Sequence, residues 1–98
     1  MGLKLVPTGR VYVCLIGYPS ASNHHQHMRL NGITLAPGGR QPVRHDNHFH
    51  VTLGNSSVVL YVNGHRHAVP ATAVPVSYDI TLHGRVLPLS AGKVPHCK

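Results

Sequence analysis

The chain has 98 residues, with nine Lys and Arg against two Asp and no Glu, and only 11% of it is charged. The formal charge of +7 favours contact with anionic partners, while two carboxylates in separate elements, Asp46 and Asp79, leave little for paired-carboxylate catalysis. No window approaches the roughly 18 apolar residues of a membrane span, and Met1-Gly2-Leu3-Lys4-Leu5 is too short and wrongly ordered for a signal peptide.

A chain of this length makes a single domain, 1–98, with residues 1–8 and 90–98 as tails. It buries about two-thirds of its unfolded surface. One phenylalanine, four tyrosines and no tryptophan make that core mainly aliphatic. The first expected strand is 10–16, where Val11, Val13 and Leu15 alternate with Tyr12, Cys14 and Ile16. Residues 17–27, GYPSASNHHQH, read as loop. A short strand at 28–30 precedes Asn31-Gly32, a hairpin-type dipeptide, and 33–35 returns before the turn Ala36-Pro37-Gly38-Gly39. Pro42 cannot donate a ladder hydrogen bond, so 41–44 begins an edge strand.

Residues 48–69, HFHVTLGNSSVVLYVNGHRHAV, are the most legible stretch. Phe49, Val51 and Leu53 take a dry face and His48, His50 and Thr52 a wet one. Gly54-Asn55-Ser56 stops that strand, 58–62 forms the next, and Asn63-Gly64 turns the chain into 65–69. Pro70 and Pro75 bracket a connection to a late strand at 76–82. Gly84 turns the chain again, and 85–89 adds a last short strand. No segment shows apolar residues at helical spacing with caps. About seven short strands at this spacing predict an all-β fold, a small antiparallel β-sandwich of Ig-like type with little or no helix. Val11, Val13, Leu15, Phe49, Val51, Leu53, Leu60, Val62, Tyr78 and Ile80 are the expected core.

Cys14 lies in an apolar strand and Cys97 is second from the end. In an oxidising compartment they can close a loop of about 80 residues, worth on the order of 4 kcal/mol. The alternative is a buried free thiol at Cys14 and a frayed tail at Cys97.

Four segments in order, G-R-V-Y-V-C-L (9–15), L-N-G-I-T-L-A-P-G (30–38), H-F-H-V-T-L-G-N (48–55) and V-L-Y-V-N-G (59–64), resemble the C-terminal extracytoplasmic domain of RodZ-type bacterial cell-shape proteins. That family's pattern has a strand, a G-x-x-L-x-x-G turn element, an F-x-V-x-L-G-N strand and a V-x-V-N-G hairpin. The resemblance covers residues 7–82. It implies a β-sandwich binding or scaffold module, non-enzymatic, in the periplasm or at the cell surface. The parent would be membrane-anchored and would couple the cytoskeleton to wall synthesis. Such a location favours the Cys14–Cys97 bridge. This chain contains neither the family's membrane helix nor its helix-turn-helix domain, and its histidines at 23–27, around Phe49 and after Gly64 depart from the pattern.

Ten histidines offer other chemistry. His25/His27, His48/His50 and His65/His67 are His-x-His pairs, and on a strand such residues share a face about 6 to 7 Å apart. His48 and His50, with His65 or His67 as third ligand, form a candidate divalent-metal site preferring Zn²⁺, Ni²⁺ or Cu²⁺; the blander reading is adventitious affinity with no dedicated cofactor. The expected interaction surface is the basic, imidazole-rich wet face of Arg44, His48, His50, Arg66 and His67, facing a protein or an anionic wall polymer. Basic residues are scattered with no aromatic-rich basic run, so specific nucleic-acid recognition is not expected. A two-residue turn at Asn63-Gly64 would set His65 and His67 beside the core residues Val62 and Leu60. The cost of burying unpartnered imidazoles there predicts a register shifted by one, with both rings outside.

Overall fold

Alternation of inward and outward residues builds several strands of this molecule, beginning with the first, while the strand Val11–Tyr18 is buried on both faces over most of its length. A computed structural model describes residues 1–19, 26–39, 41–72, 74–89 and 97. Nine strands follow in order: β1 Gly2–Pro7, β2 Val11–Tyr18, β3 His27–Leu35, β4 Arg44–His45, β5 His48–Leu53, β6 Val58–Val62, β7 His65–Ala68, β8 Val76–Ile80 and β9 Val86–Pro88. They form two antiparallel sheets, a four-stranded one in the order β4-β1-β6-β7 and a five-stranded one in the order β3-β2-β5-β8-β9. Among the described residues there is no helix, and the expected all-β sandwich is the fold observed.

The inner faces meet in one aliphatic layer around Phe49. Leu3, Leu5, Val58, Leu60 and Val62 from the four-stranded sheet face Val11, Val13, Leu15, Phe49, Val51, Leu53 and Ile80 from the five-stranded one, all no more than 1% exposed. Every expected core residue takes part, with Tyr78 packed against the layer rather than sealed within it.

Three expectations are corrected. Residues 1–8 are not a tail: Leu3, Leu5 and Pro7 point inward from β1, which pairs with β6 from Leu3↔Val62 to Pro7↔Val58. The period-two alternation of Leu3, Leu5 and Pro7 with Gly2, Lys4 and Val6 is the physical reason. The loop expected over 17–27 is shorter, because β2 runs on to Tyr18 and β3 starts at His27. Finally, Asn31-Gly32 is no hairpin. It lies inside β3, whose pairing with β2 shifts register between Val13↔Ile33 and Leu15↔Leu30, and again before Ile16↔Met28. Gly32 supplies the positive φ (63°) that this bulged backbone needs.

Cys14 and Cys97 form a disulfide with Cα atoms 5.9 Å apart. Cys97 thereby lies on the outer side of β2, its sulfur 3.4 Å from the Leu30 carbonyl oxygen of β3. The rest of the tail expected over 90–98, the loop residues 20–25 with His24 and His25, Arg40, Ala73 and His96 lie outside the described residues.

Candidate functional site

A strand whose inner residues are core must present the alternate ones outward, and β2 and β5 do so as neighbours. Tyr18 is directly opposite His48, Ile16 opposite His50, and His50 opposite Asp79 of β8. The Tyr18 and His48 rings stack with centroids 4.4 Å apart, nearly parallel at 5°. Gln26 Nε2 donates to the Tyr18 hydroxyl at 3.2 Å, and that hydroxyl meets His50 Nδ1 at 3.3 Å, the donor being set by the imidazole tautomer. His50 Nε2 faces Asp79 Oδ1 at 3.5 Å. That separation is an ion pair when His50 is protonated rather than a well-formed hydrogen bond. His48 Nδ1 meets the Asn47 side-chain oxygen at 3.1 Å.

His48 and His50 were expected on a wet face; they are on the outer face, but only half open, with the His50 side chain 16% exposed. Both nitrogens of His50 are engaged, so neither is a ready metal ligand. His65 and His67 are on the other sheet and cannot complete the site. Among the described residues no group of three or more His, Cys, Asp or Glu is placed to hold a metal ion. The expected site of His48 and His50 with His65 or His67 as third ligand is therefore not assembled among the described residues.

The chain's other carboxylate is held elsewhere, against the inward-facing side of Gly17, where the Asp46 backbone N–H also donates to the Met1 carbonyl oxygen. Asp46 accepts from Arg29 Nε at 2.9 Å and Nη2 at 3.0 Å, with His27 Nδ1 3.9 Å away, and its side chain is only 4% exposed. Two N–H groups on one carboxylate make the directional form of such a pair. The carboxylate packs on the bare Cα of Gly17, where any Cβ would overlap it.

The hairpin at Asn63-Gly64 carries the correction to the predicted register. Both residues have positive φ (52° and 82°), the two-residue turn that fits strand twist, and Val62↔His65 and Leu60↔His67 pair without a shift. The predicted penalty does not arise because β7 ends its sheet. His65 is exposed, and His67 opens into a cleft of about 230 Å³ between Leu60, Tyr78 and Val86 rather than being sealed in.

On the outer face of the four-stranded sheet, Lys4 of β1, Tyr61 of β6 and Arg66 of β7 lie directly opposite one another in a single row. His45 flanks them through its pairing with Gly2. A groove of about 520 Å³ opens here, lined chiefly by Lys4, Val43, His45, Tyr61 and Asn63. The predicted interaction surface is thus divided between two sheets. Arg66 is on this face, His67 points to the interior side of β7, and His48 and His50 are on the opposite sheet. Arg44 is half-buried in β4, its Nη2 donating to Gln41 Oε1 at 3.2 Å and its Nη1 shut from solvent with no acceptor. Burial, with repulsion from Arg29 second, pushes the Arg44 pKa below its ordinary value. Lys4 and Tyr61 were missed by sequence reasoning, though each holds the polar phase of an alternating strand.

No family model, curated protein or solved structure matches this chain. The comparisons identify no RodZ-type domain, and that likeness rests on the four quoted segments. No helix among the described residues is long and apolar enough to cross a membrane.

Proposed function

We propose that this protein is a non-enzymatic binding module that works outside the cytoplasm and holds an anionic partner, in the manner of the RodZ-type extracytoplasmic domain it resembles. The observation that carries this reading is the fate of the acids. The chain has two acidic side chains, and both lie against residues of the five-stranded sheet, Asp46 with Arg29 and Asp79 with His50. Among the described residues Lys4 and Arg66, on the four-stranded face, have no carboxylate to meet. A surface of unopposed cations attracts anions and raises their encounter rate.

The Cys14–Cys97 bridge supports an oxidising setting, since such bonds persist in secreted and periplasmic proteins and are rare in the cytosol. The separation of the two carboxylates also supports holding over turnover, because Asp46 is closed on Arg29 and Asp79 lies beside His50 on another element, so the two do not pair as acid and base. An anionic wall polymer suits both the charge and the implied location.

The test is binding of the disulfide-intact chain to polygalacturonate, a carboxylated polysaccharide, and to dextran, a neutral one. The expected result is retention on the acid polymer alone, weakening about tenfold between 50 and 200 mM salt if about two charges are neutralised. Equal retention on both polymers, or none on either, would overturn the reading.

A further inference from the structure

We infer that the groove beside Lys4, Tyr61 and Arg66 is the seat for a repeating anionic polysaccharide, with one sugar ring on Tyr61 and an acid group at each flanking cation. This inference rests on the anion-binding reading above and specifies where the polymer sits and what its chemistry is.

Three observations define the ligand. The first is the row itself. Lys4, Tyr61 and Arg66 are on adjacent strands, so the backbones that carry the two cations are separated by two strand spacings, about 10 Å, with Tyr61 between them. The row suits a ligand with two acid groups and a ring-sized uncharged element between them, for which an aromatic side chain on the outer face of a sheet offers an apolar contact.

The second is the shape of the groove. Gly2 forms part of its wall, and a Cβ there would stand 3.2 Å from Val43 Cγ1 and 3.3 Å from His45 Cε1, so the bare glycine keeps those side chains close to the sheet and leaves room above them. A second opening, about 500 Å³, adjoins Lys4 on its other side along β1 towards Gly38 and Gln41. Lys4 thus stands between two openings, as suits a polymer that continues past its first sugar.

The third is electrostatic. The nearest acid in sequence, Asp46, follows His45 directly, yet its carboxylate is turned away onto Arg29 and nearly sealed. Nothing on this face competes for the cations. A single aromatic ring favours a sugar polymer over single-stranded nucleic acid, which is held by successive stacked bases on several rings. The other tyrosines are elsewhere: Tyr12 and Tyr18 on β2 and Tyr78 on β8.

The experiment measures the affinity of the intact chain for polygalacturonate, with dextran and a thymidine oligonucleotide as comparison ligands. The variants are Lys4→Ala, Tyr61→Ala, Tyr61→Phe, Arg66→Ala and, as a control of equal charge change on the other sheet's β8–β9 turn, Arg85→Ala. We expect about fivefold loss in Lys4→Ala and Arg66→Ala, about tenfold in Tyr61→Ala, little change in Tyr61→Phe, and less than about twofold in Arg85→Ala. Equal losses in Arg66→Ala and Arg85→Ala would overturn the seat while leaving general anion binding intact. Tighter binding of the oligonucleotide than of the polysaccharide would overturn the ligand class. Failure of the unmodified chain to bind polygalacturonate at all would remove the proposed function and the seat together. Circular dichroism of each variant separates lost binding from lost fold.

Discussion

The two outer faces of this sandwich are built from the same kinds of residue and treated in opposite ways. On the five-stranded side several charged and polar groups have found partners within the chain. Arg29 is closed on Asp46, His50 is set between Tyr18 and Asp79, and Cys14 is covered by Cys97. On the four-stranded side Lys4 and Arg66 project from a sheet that carries no acid. One face spends its polar groups on internal cohesion, and the other leaves them for something outside. With only two carboxylates available, their placement against Arg29 of β3 and His50 of β5 leaves none beside Lys4 and Arg66 among the described residues.

Substitutions can erase or deepen that contrast, and the largest effect removes the layer between the faces. Phe49, fully buried and the only phenylalanine, is expected to cost up to about 5 kcal/mol as Phe49→Ala. Urea denaturation reads this as a sharply lower midpoint, and an unchanged midpoint would contradict the core described. Next is the disulfide. Replacing Cys14 and Cys97 by Ser frees a loop of 83 residues' separation and is expected to cost about 4 kcal/mol. Thiol titration of the unfolded, unreduced parent should find no free thiol.

A smaller change targets cohesion directly. Asp46→Asn leaves the Arg29 guanidinium without its charged acceptor and is expected to cost about 2 kcal/mol, a drop of roughly 10 °C in melting temperature for a domain of this size. It also removes one of two acids, so polyanion binding should become less selective for the four-stranded face. Gly17→Ala strikes the same pair from below, since its methyl would overlap the Asp46 carboxylate. A loss of about 1 to 2 kcal/mol is expected, and Gly17→Ala in the Asp46→Asn background should cost no less if backbone crowding rather than charge is responsible. The smallest effect is the most telling one. Lys4→Ala and Arg66→Ala should each shift stability by less than about 0.5 kcal/mol while weakening polyanion binding, because exposed cations with no internal partner contribute little to folding. A large stability loss in either variant would mean that this face, too, is internally committed.

Most strands were legible from alternation, and the cases that were not share one cause. Asn63-Gly64 and Asn31-Gly32 are the same dipeptide. The first makes a tight turn, and the second a bulge inside β3. The dipeptide fixes only that positive φ is tolerated; whether the chain reverses depends on which strand is already alongside, and β2 lies along all of β3. β1 was overlooked because Leu3 and Leu5 are few and close to the chain start, although their alternation is as regular as that of Phe49 and Val51. For the site, sequence placed His48 and His50 on one side of β5 correctly. It could not show Tyr18 stacked against them, or that Arg66 and His48 belong to different sheets, since strand neighbours are set by long-range packing. Lys4, Tyr61 and Arg66 become a row only once β1, β6 and β7 are known to be adjacent.

The double register shift in β3 has a consequence for the protein in company. β3 is the longest of the described strands and borders the five-stranded sheet, the position at which another copy would add a strand. The bulges at Asn31-Gly32 and Arg29 break its row of outward amides and carbonyls into pieces too short and too kinked to template a regular ladder. Copies of the chain can therefore sit side by side on that border without zipping into a continuous sheet.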